Sequence, residues 1–387
     1  FARNAVVTRE DGTQVLVELP SMGAAPVEEA AASCYAPAFV REEGDLLVIG
    51  NGNLTAKVDG KGQVVSFVLE ESGREFAEGP MNVFQFYKDV PRLFDAWDID
   101  SNYIEQPLPG VRNVQVSVGR REGVTASILV KGEIGESVYR QEIVLAEGSR
   151  RLEFRTTVDW KELHRLLKVG FPVTVHTDNV INEMQFGYVE RPVHRSKAYD
   201  KDRFEVCNHR YSALADGSHG AAVLNESKYG MSANGNRMEL TLLRASACPE
   251  MRADNHVHHF TYAFYAFEGP FASSDVVKEG LDLNVPPVVT EGWGEAFSAF
   301  RVSGNSVILD TVKPAEDGSS DLVLRLYDSL KSAGPVEVEI DLPVKKAELT
   351  DMLEDPLEEL ALEETGNGVK LNLTFRAFEI KTVRLSF

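Results

Sequence analysis

Cysteine is scarce in this chain of 387 residues: Cys34, Cys207 and Cys248 are odd in number, far apart and lack a Cys-x-x-Cys spacing. That excludes a disulfide framework and the paired-cysteine zinc motifs, and predicts buried thiols in a reducing compartment. Long apolar runs are missing too. No stretch approaches the ~18 consecutive apolar residues of a membrane-spanning helix, and no charged-then-apolar leader stands at the start. The first residue is Phe1, not Met, and Phe-Ala-Arg-Asn-Ala-Val-Val reads as the inside of a strand, so the chain is expected to be part of a longer polypeptide. Basic residues number 40 against 60 acidic ones, a net charge of −20. A surface of that sign repels phosphate backbones and anionic lipid, which argues against nucleic-acid and membrane partners and for simple solubility. P-loop, GxGxxG, HExxH and GxSxG motifs are absent, as is any repeat of fixed period. Without a leader, the Asn-x-Ser/Thr sites at Asn53, Asn225 and Asn372 read as chance matches.

What is present is a long succession of strands. A hydrophobic content of 43% with 26% charged residues is ordinary for a soluble globular chain, and the length suggests about two to three domains or one large β assembly. Residues 4–19 alternate around Asp11-Gly12 as a hairpin. Residues 21–38, rich in Ala, Pro and Glu, read as a linker. Runs at 46–49, 54–58 and 64–69, separated by Asn-Gly and Asp-Gly turns, form a meander. Further strands are expected at 81–87, 114–118, 124–131, 137–145, 151–160, 203–208, 220–225, 237–243 and 257–267. Trp160, Leu163, Leu166 and Leu167 fall at helical spacing, but the β-branched runs on either side favour strand, a turn at 161–164, then strand. Pro286-Pro287 marks a boundary, followed by strands at 297–302, 306–312, 322–328, 335–342, 369–375 and 378–385. The acidic stretch 351–364 suggests a short helical turn. The expected architecture is all-β, in stacked antiparallel sheets. It divides into an opening strand pair and linker (1–38), a large β unit (39–288) and a smaller one (289–387).

Polar and aromatic groups are densest from Gly148 to Leu214, and four places could carry chemistry. His256 and His258 would share one face of a strand, which suits a metal or a plain polar edge beside the packed His259. Asp95, Asp98 and Asp100 flank Trp97 in the long loop 88–109. Paired carboxylates can cleave a glycosidic bond and an aromatic can stack on a sugar; the alternative is a hydrogen-bonded loop anchored by a buried tryptophan. Glu190-Arg191-Pro192-Val193-His194-Arg195 gathers donors suited to sugar oxygens or to an ion-pair network. Pro314-Ala315-Glu316-Asp317-Gly318 reads as a turn.

Motifs in order along the chain resemble the C-terminal half of the family 38 glycoside hydrolases, the class II α-mannosidases. They begin with Ile49-x-Asn51-x-x-Leu54, Asp59, Gly62, Ser66 and Gly73-Arg74-Glu75, then Trp97-Asp98-Ile99-Asp100. Arg151-Leu152-Glu153-Phe154 and Leu166-Leu167-Lys168-Val169-Gly170-Phe171-Pro172 follow. Next come Gly187-Tyr188-x-Glu190-Arg191-Pro192-x-His194-Arg195, Phe204-Glu205-Val206, Leu224-Asn225-x-x-Lys228-Tyr229-Gly230 and His259-Phe260-Thr261-Tyr262. Glu316-Asp317-Gly318 and Leu324-Arg325-Leu326-Tyr327 close the series. The resemblance implies a galactose-mutarotase-like antiparallel supersandwich with a smaller C-terminal β-sandwich. It also implies retaining hydrolysis of terminal α-mannosides by a parent enzyme with a zinc-type divalent metal. The nucleophile and metal ligands of such an enzyme lie on an N-terminal barrel outside this chain, so no catalytic residue and no metal ligand is assigned here. Trp97, Asp98, Asp100, Arg191, His194, Arg195, Glu316 and Asp317 become candidates for the cleft wall or interdomain seam. The implied partners are α-mannoside glycans, the chain's own barrel and a second copy of itself, and the implied location is the cytoplasm. A stand-alone carbohydrate-binding or mutarotase-like module and a pure scaffold remain as alternatives.

Overall fold

Period-two alternation becomes strand along most of the chain in the computed structural model, which describes residues 1–27, 34–292 and 294–387. The part of the expected linker at 28–33 lies outside the described residues. The first hairpin pairs Arg3–Thr8 with Gln14–Leu19. Its turn works because Gly12 takes φ +84° while the Asp11 carboxylate accepts from the Thr13 amide at 2.8 Å. The meander Ala38–Glu43, Leu46–Gly50, Leu54–Val58 and Val64–Leu69 is the centre of a six-stranded antiparallel sheet. Residues 160–164 form the expected break between the strands Arg151–Asp159 and Arg165–Pro172.

The chain falls into two compact units. One comprises Phe1–Ala32, Met184–Val189 and Pro287–Phe387; the other comprises Ser33–Glu183 and Glu190–Pro286. The larger unit is a supersandwich built from the six-stranded sheet, a five-stranded sheet and most of a nine-stranded sheet. Between these sheets lies an aromatic core in which Phe67 meets Phe264 edge-on at 4.8 Å, and Phe154 stacks on Tyr262 at 5.1 Å. One polar network is sealed inside it. Gln141 donates to the Tyr262 hydroxyl at 2.8 Å, Tyr262 donates to Asn82 at 2.6 Å, and Asn82 donates back to Gln141 at 2.7 Å. The ring of donors closes on itself, so burial leaves none of these atoms unsatisfied.

The smaller unit is a sandwich of a four-stranded and a five-stranded antiparallel sheet around Phe300, Leu324, Leu326, Val338, Leu371, Phe375 and Val383. The all-β class, with a large supersandwich and a smaller C-terminal sandwich, is the one expected from the sequence. Among the described residues no helix is long and apolar enough to cross a membrane.

Three local expectations are corrected. Cys34, Cys207 and Cys248 are all exposed rather than buried, because they lie on the short edge strand Val206–Cys207 and in irregular segments that no core face reaches. The 351–364 region contains the strands Pro356–Leu360 and Glu363–Glu364 instead of a helical turn. Pro356–Leu360 pairs with Lys346–Thr350 and forms an edge that its proline and glutamates keep from pairing further. The helix Val276–Asn284 was not anticipated. It docks through Arg151, which ion-pairs with Glu279 at 2.7 Å, Asp282 at 3.1 Å and Glu153 at 2.9 Å.

Tyr262→Phe removes one hydroxyl from the sealed network and leaves Asn82 and Gln141 each short of a partner. It is expected to cost about 1–3 kcal/mol, read as a lower urea midpoint for the larger unit. An unchanged midpoint would mean that the two amides can satisfy each other without it.

Candidate functional site

The loop that follows Val83–Lys88 runs to the 3-10 turn Ser101–Glu105 and on to the strand Arg112–Val118. Part of its apolar surface packs inward, through Tyr103, Leu108 and Val111, and the segment before the turn is held by polar anchors. The main anchor is Arg244, at the end of Arg237–Arg244. Its guanidinium donates to the Asp89 carboxylate at 2.6 Å and to the carbonyls of Asp98 at 2.7 Å and Asp95 at 3.3 Å. Arg244 is itself fixed from behind, since its carbonyl accepts from the indole of the fully buried Trp160 at 3.0 Å. Burial pushes the Asp89 carboxyl above its ordinary value despite the adjoining guanidinium.

Asp95 is the second anchor. One carboxylate oxygen accepts from the amides of Ala247 at 2.7 Å and Cys248 at 3.1 Å and faces His164 Nε2 at 3.0 Å. Burial works to raise this carboxyl, but the Ala247 amide and His164 outweigh it and hold it below its ordinary value. Asp100 accepts from the Arg92 amide at 2.9 Å. Trp97 is 72% exposed, so the reading of a loop pinned by a buried tryptophan is overturned: the backbone is held by Arg244 and Asp95. Leu93 and Phe94 (66%) are exposed on the same loop, beside the exposed Asp98. The result is an exposed apolar tip on a hydrogen-bonded polar base.

A third anchor lies beneath the loop. Lys168 is 0% exposed, on the polar face of the five-stranded sheet. Its ammonium ion-pairs with Glu205 and donates to Ser232 at 2.8 Å and Tyr103 at 3.3 Å. Tyr103, from the 3-10 turn, donates to Glu205 at 2.6 Å. Burial, with Glu205 adding to it, pushes the Tyr103 phenol far above its ordinary value, so it stays a donor. One buried cation thereby ties loop 89–109 and the segment containing Glu205 to the same sheet.

The other candidates are anchored elsewhere. Arg191 donates to the buried Asn182 at 2.7 Å and to the Cys207 carbonyl at 3.2 Å. Burial lowers its guanidinium from the ordinary value. His194 stands 3.9 Å from the buried Asp200, and Arg195 is half-buried beside it in sequence. In the smaller unit, Glu316 is exposed, and Lys313 reaches it at 2.6 Å. Asp317 pairs with Arg384 at 2.6 Å in a tight connection that needs Gly318 at φ +76°. Among the described residues, no hydrogen bond or ion pair links Trp97, Asp98 and Asp100 to Arg191, His194 and Arg195. The His256 and His258 rings do share a face, stacked at 3.9 Å, but each uses a ring nitrogen on a backbone carbonyl. No three His, Cys, Asp or Glu side chains among the described residues gather as a metal site.

Sequence reading missed Arg244, and it missed the pairing of Lys168 with Tyr103 and Glu205. Lys168 lay inside the dense polar stretch, but its partners are 65 and 37 residues away along the chain, where no local spacing could reveal them.

Lys168→Met leaves Glu205 buried without a cation and is expected to cost about 3–5 kcal/mol. The double variant Lys168→Met/Glu205→Leu should recover most of that; urea melts of both decide it. For Asp317, the hydroxyl and amide of Ser319 and the Arg384 guanidinium hold the carboxyl down to about 2, against an ordinary 3.8. Its stabilising contribution is therefore full above the unfolded value and fades as pH falls through the folded one. Carbon-detected NMR should give an Asp317 midpoint near 2, and a midpoint near 3.8 would break the pairing.

Residues 49–252 match the Glycosyl hydrolases family 38 C-terminal domain, and residues 306–383 match the Glycosyl hydrolases family 38 C-terminal beta sandwich domain. The chain is 37% identical over 387 residues to Alpha-mannosidase 2C1 of Homo sapiens, a match that covers 96% of this chain and 37% of that protein. It is 28% identical over 389 residues to Alpha-mannosidase of Saccharomyces cerevisiae, covering 89% and 35%. The chain thus spans little more than a third of the length of these relatives. Its fold matches that of an alpha-mannosidase from Enterococcus faecalis V583, with a TM-score of 0.73 at 17% identity, over 100% of this chain and 49% of that one. By these matches, and by the order of its two β units, the chain belongs to glycosyl hydrolase family 38 and carries that family's C-terminal domain and C-terminal β-sandwich.

Proposed function

We propose that this chain is the β-rich part of a retaining α-mannosidase that removes terminal α-mannose residues, and that loop 89–109 is its contribution to the cleft wall. The observation that carries this reading is the construction of that loop. An exposed Leu93, Phe94 and Trp97 tip stands on a base locked by Arg244, Asp95 and Lys168. Apolar groups left in water on a hydrogen-bonded loop are a surface suited to a partner or to the apolar face of a sugar. Asp98 and Asp100 supply acceptors for hydroxyls next to that tip. Arg191, His194, Arg195, Glu316 and Asp317 are further residues for the seam with an upstream barrel. A zinc-type metal, with the nucleophile, belongs to that barrel on this reading. The three exposed, unpaired thiols suit a reducing compartment such as the cytoplasm.

An aryl α-mannoside assay tests the reading. The chain by itself should be inactive, and the polypeptide that continues it upstream should be active. In the active form, Trp97→Ala should raise KM about tenfold, and Arg244→Ala, which frees the loop, should lower kcat/KM by about 10²-fold. Enzyme-like turnover by the chain alone, or unchanged kinetics in both variants, would reject the assignment.

A further inference from the structure

The nine-stranded sheet buries one face in the core and leaves much of the other wet. On that open face lies a groove of about 600 Å³, floored by the strands Arg112–Val118, Thr125–Ile134, Ser137–Ala146, Arg151–Asp159 and Val257–Glu268. The pairing register sets Gln115, Lys131, Arg140, Thr157 and His259 in one row, each directly opposite the next. Two features of that row are unusual. Lys131 and Arg140 face each other across adjacent strands, an arrangement of like charges that weakens a sheet. Neither makes an ion pair or hydrogen bond among the described residues, and both are exposed; the Glu133 carboxylate feels the charge of Lys131 but is itself held by Arg112. Neighbouring arginines around them are matched: Arg112 with Glu133 at 3.0 Å, Arg120 with Glu142 at 3.1 Å, Arg155 with Glu153 at 2.8 Å. In a chain with 60 acidic residues against 40 basic ones, two facing cations that make no direct ion pair stand against the prevailing charge.

The groove's own acids are engaged elsewhere. Glu142 holds Arg120, and Glu226 accepts from the Thr261 amide at 2.8 Å. Thr157 and His259 are within 3.0 Å of each other and place a hydroxyl and an imidazole beside the cations. The floor thus offers two positive charges at its centre, beside the Thr157 hydroxyl, the His259 ring and the Gln115 amide, while Glu142 and Arg155 at its sides are tied up in ion pairs of their own. A groove of this size suits a ligand of one or two sugar rings, and adjacent lysine and arginine suit a carboxylate or phosphate.

We propose that this groove binds an anionic sugar, a sugar phosphate or a uronic acid, with its anionic group between Lys131 and Arg140 and its hydroxyls against Thr157, His259 and Gln115.

Titration calorimetry on the polypeptide carrying this chain tests it, with mannose 6-phosphate, glucuronic acid, mannose and inorganic phosphate as probes. Saturable binding of at least one anionic sugar is expected, about tenfold or more tighter than mannose or phosphate and weakened by added salt. Whichever of the two anionic sugars binds tells phosphate from carboxylate recognition. Lys131→Met and Arg140→Met should each weaken binding at least tenfold, whereas Arg112→Met, outside the row, should not. Because both cations are exposed, these variants should fold; a second variant guards the reading all the same. Lys131→Glu gives Arg140 a partner, so it should raise the melting temperature while abolishing binding. The proposal is overturned if neither anionic sugar binds, if mannose or free phosphate binds as tightly, or if Lys131→Met and Arg140→Met bind as the parent does.

Discussion

A lysine ammonium without access to water is tolerable only where its neighbours replace the lost hydration. Lys168 meets that condition with partners from three places in sequence: Glu205, Ser232 and Tyr103. Their convergence constrains the rest of the larger unit's polar side. The five-stranded sheet has an apolar face, with Phe86, Leu167, Val169, Phe171, Met238 and Leu240 turned to the core. Its other face carries Lys168, Ser232, Glu239 and Thr241, which no hydrophobic layer could cover without penalty. Only polar segments bringing matching groups can lie there, and loop 89–109 and the segment ending at Glu205 do so. Charge and hydrogen-bond satisfaction set their position together with the packing of Tyr103 against Tyr87 and Phe204.

The same logic frees the loop's apolar residues. Arg244 and Asp95 fix the backbone through carbonyls and amides, so Trp97 and Phe94 are not needed as anchors and stay in water. Leaving a large apolar side chain exposed forgoes about 1.5–3 kcal/mol of burial. That forgone energy becomes available to whatever covers the tip, and the hydrogen bonds fixing the base keep the ordering cost of binding low.

How much of this could be read in the sequence depends on the range of the interaction concerned. Strands were legible because alternation and turn residues act over a few positions: Asp11-Gly12 and Asp59-Gly60 punctuate hairpins by local geometry. The break at 161–164 was legible because β-branched runs on both sides outweighed four residues at helical spacing. The helix Val276–Asn284 was not, since its strongest tie is to Arg151, over 120 residues away. Pro356–Leu360 was misjudged because acidic composition looks the same on an edge strand as on an exposed helical turn; what decides is the free edge offered by Lys346–Thr350. Within the candidate site, the residues that contact solvent (Trp97, Asp98, Asp100) carried a local signature. The residue that positions them, Arg244, ends an ordinary alternating strand and shows itself only through its contacts.

Charge is handled on three levels in the larger unit, and the comparison explains why the open sheet face differs from its surroundings. Lys168 is fully buried and fully matched. Arg151, nearly buried, is surrounded by three carboxylates, so that burial pushes Glu279 above its ordinary value despite the guanidinium beside it; this cluster seals the helix Val276–Asn284 onto one part of the sheet. Lys131 and Arg140 lie on the uncovered part, where water screens repulsion and no carboxylate is required for stability. Solvent therefore permits the unmatched pair but does not produce it, because a single acidic residue at either position would have stabilised the sheet. On the proposal made for this groove, the counter-charge of the pair is supplied by the ligand.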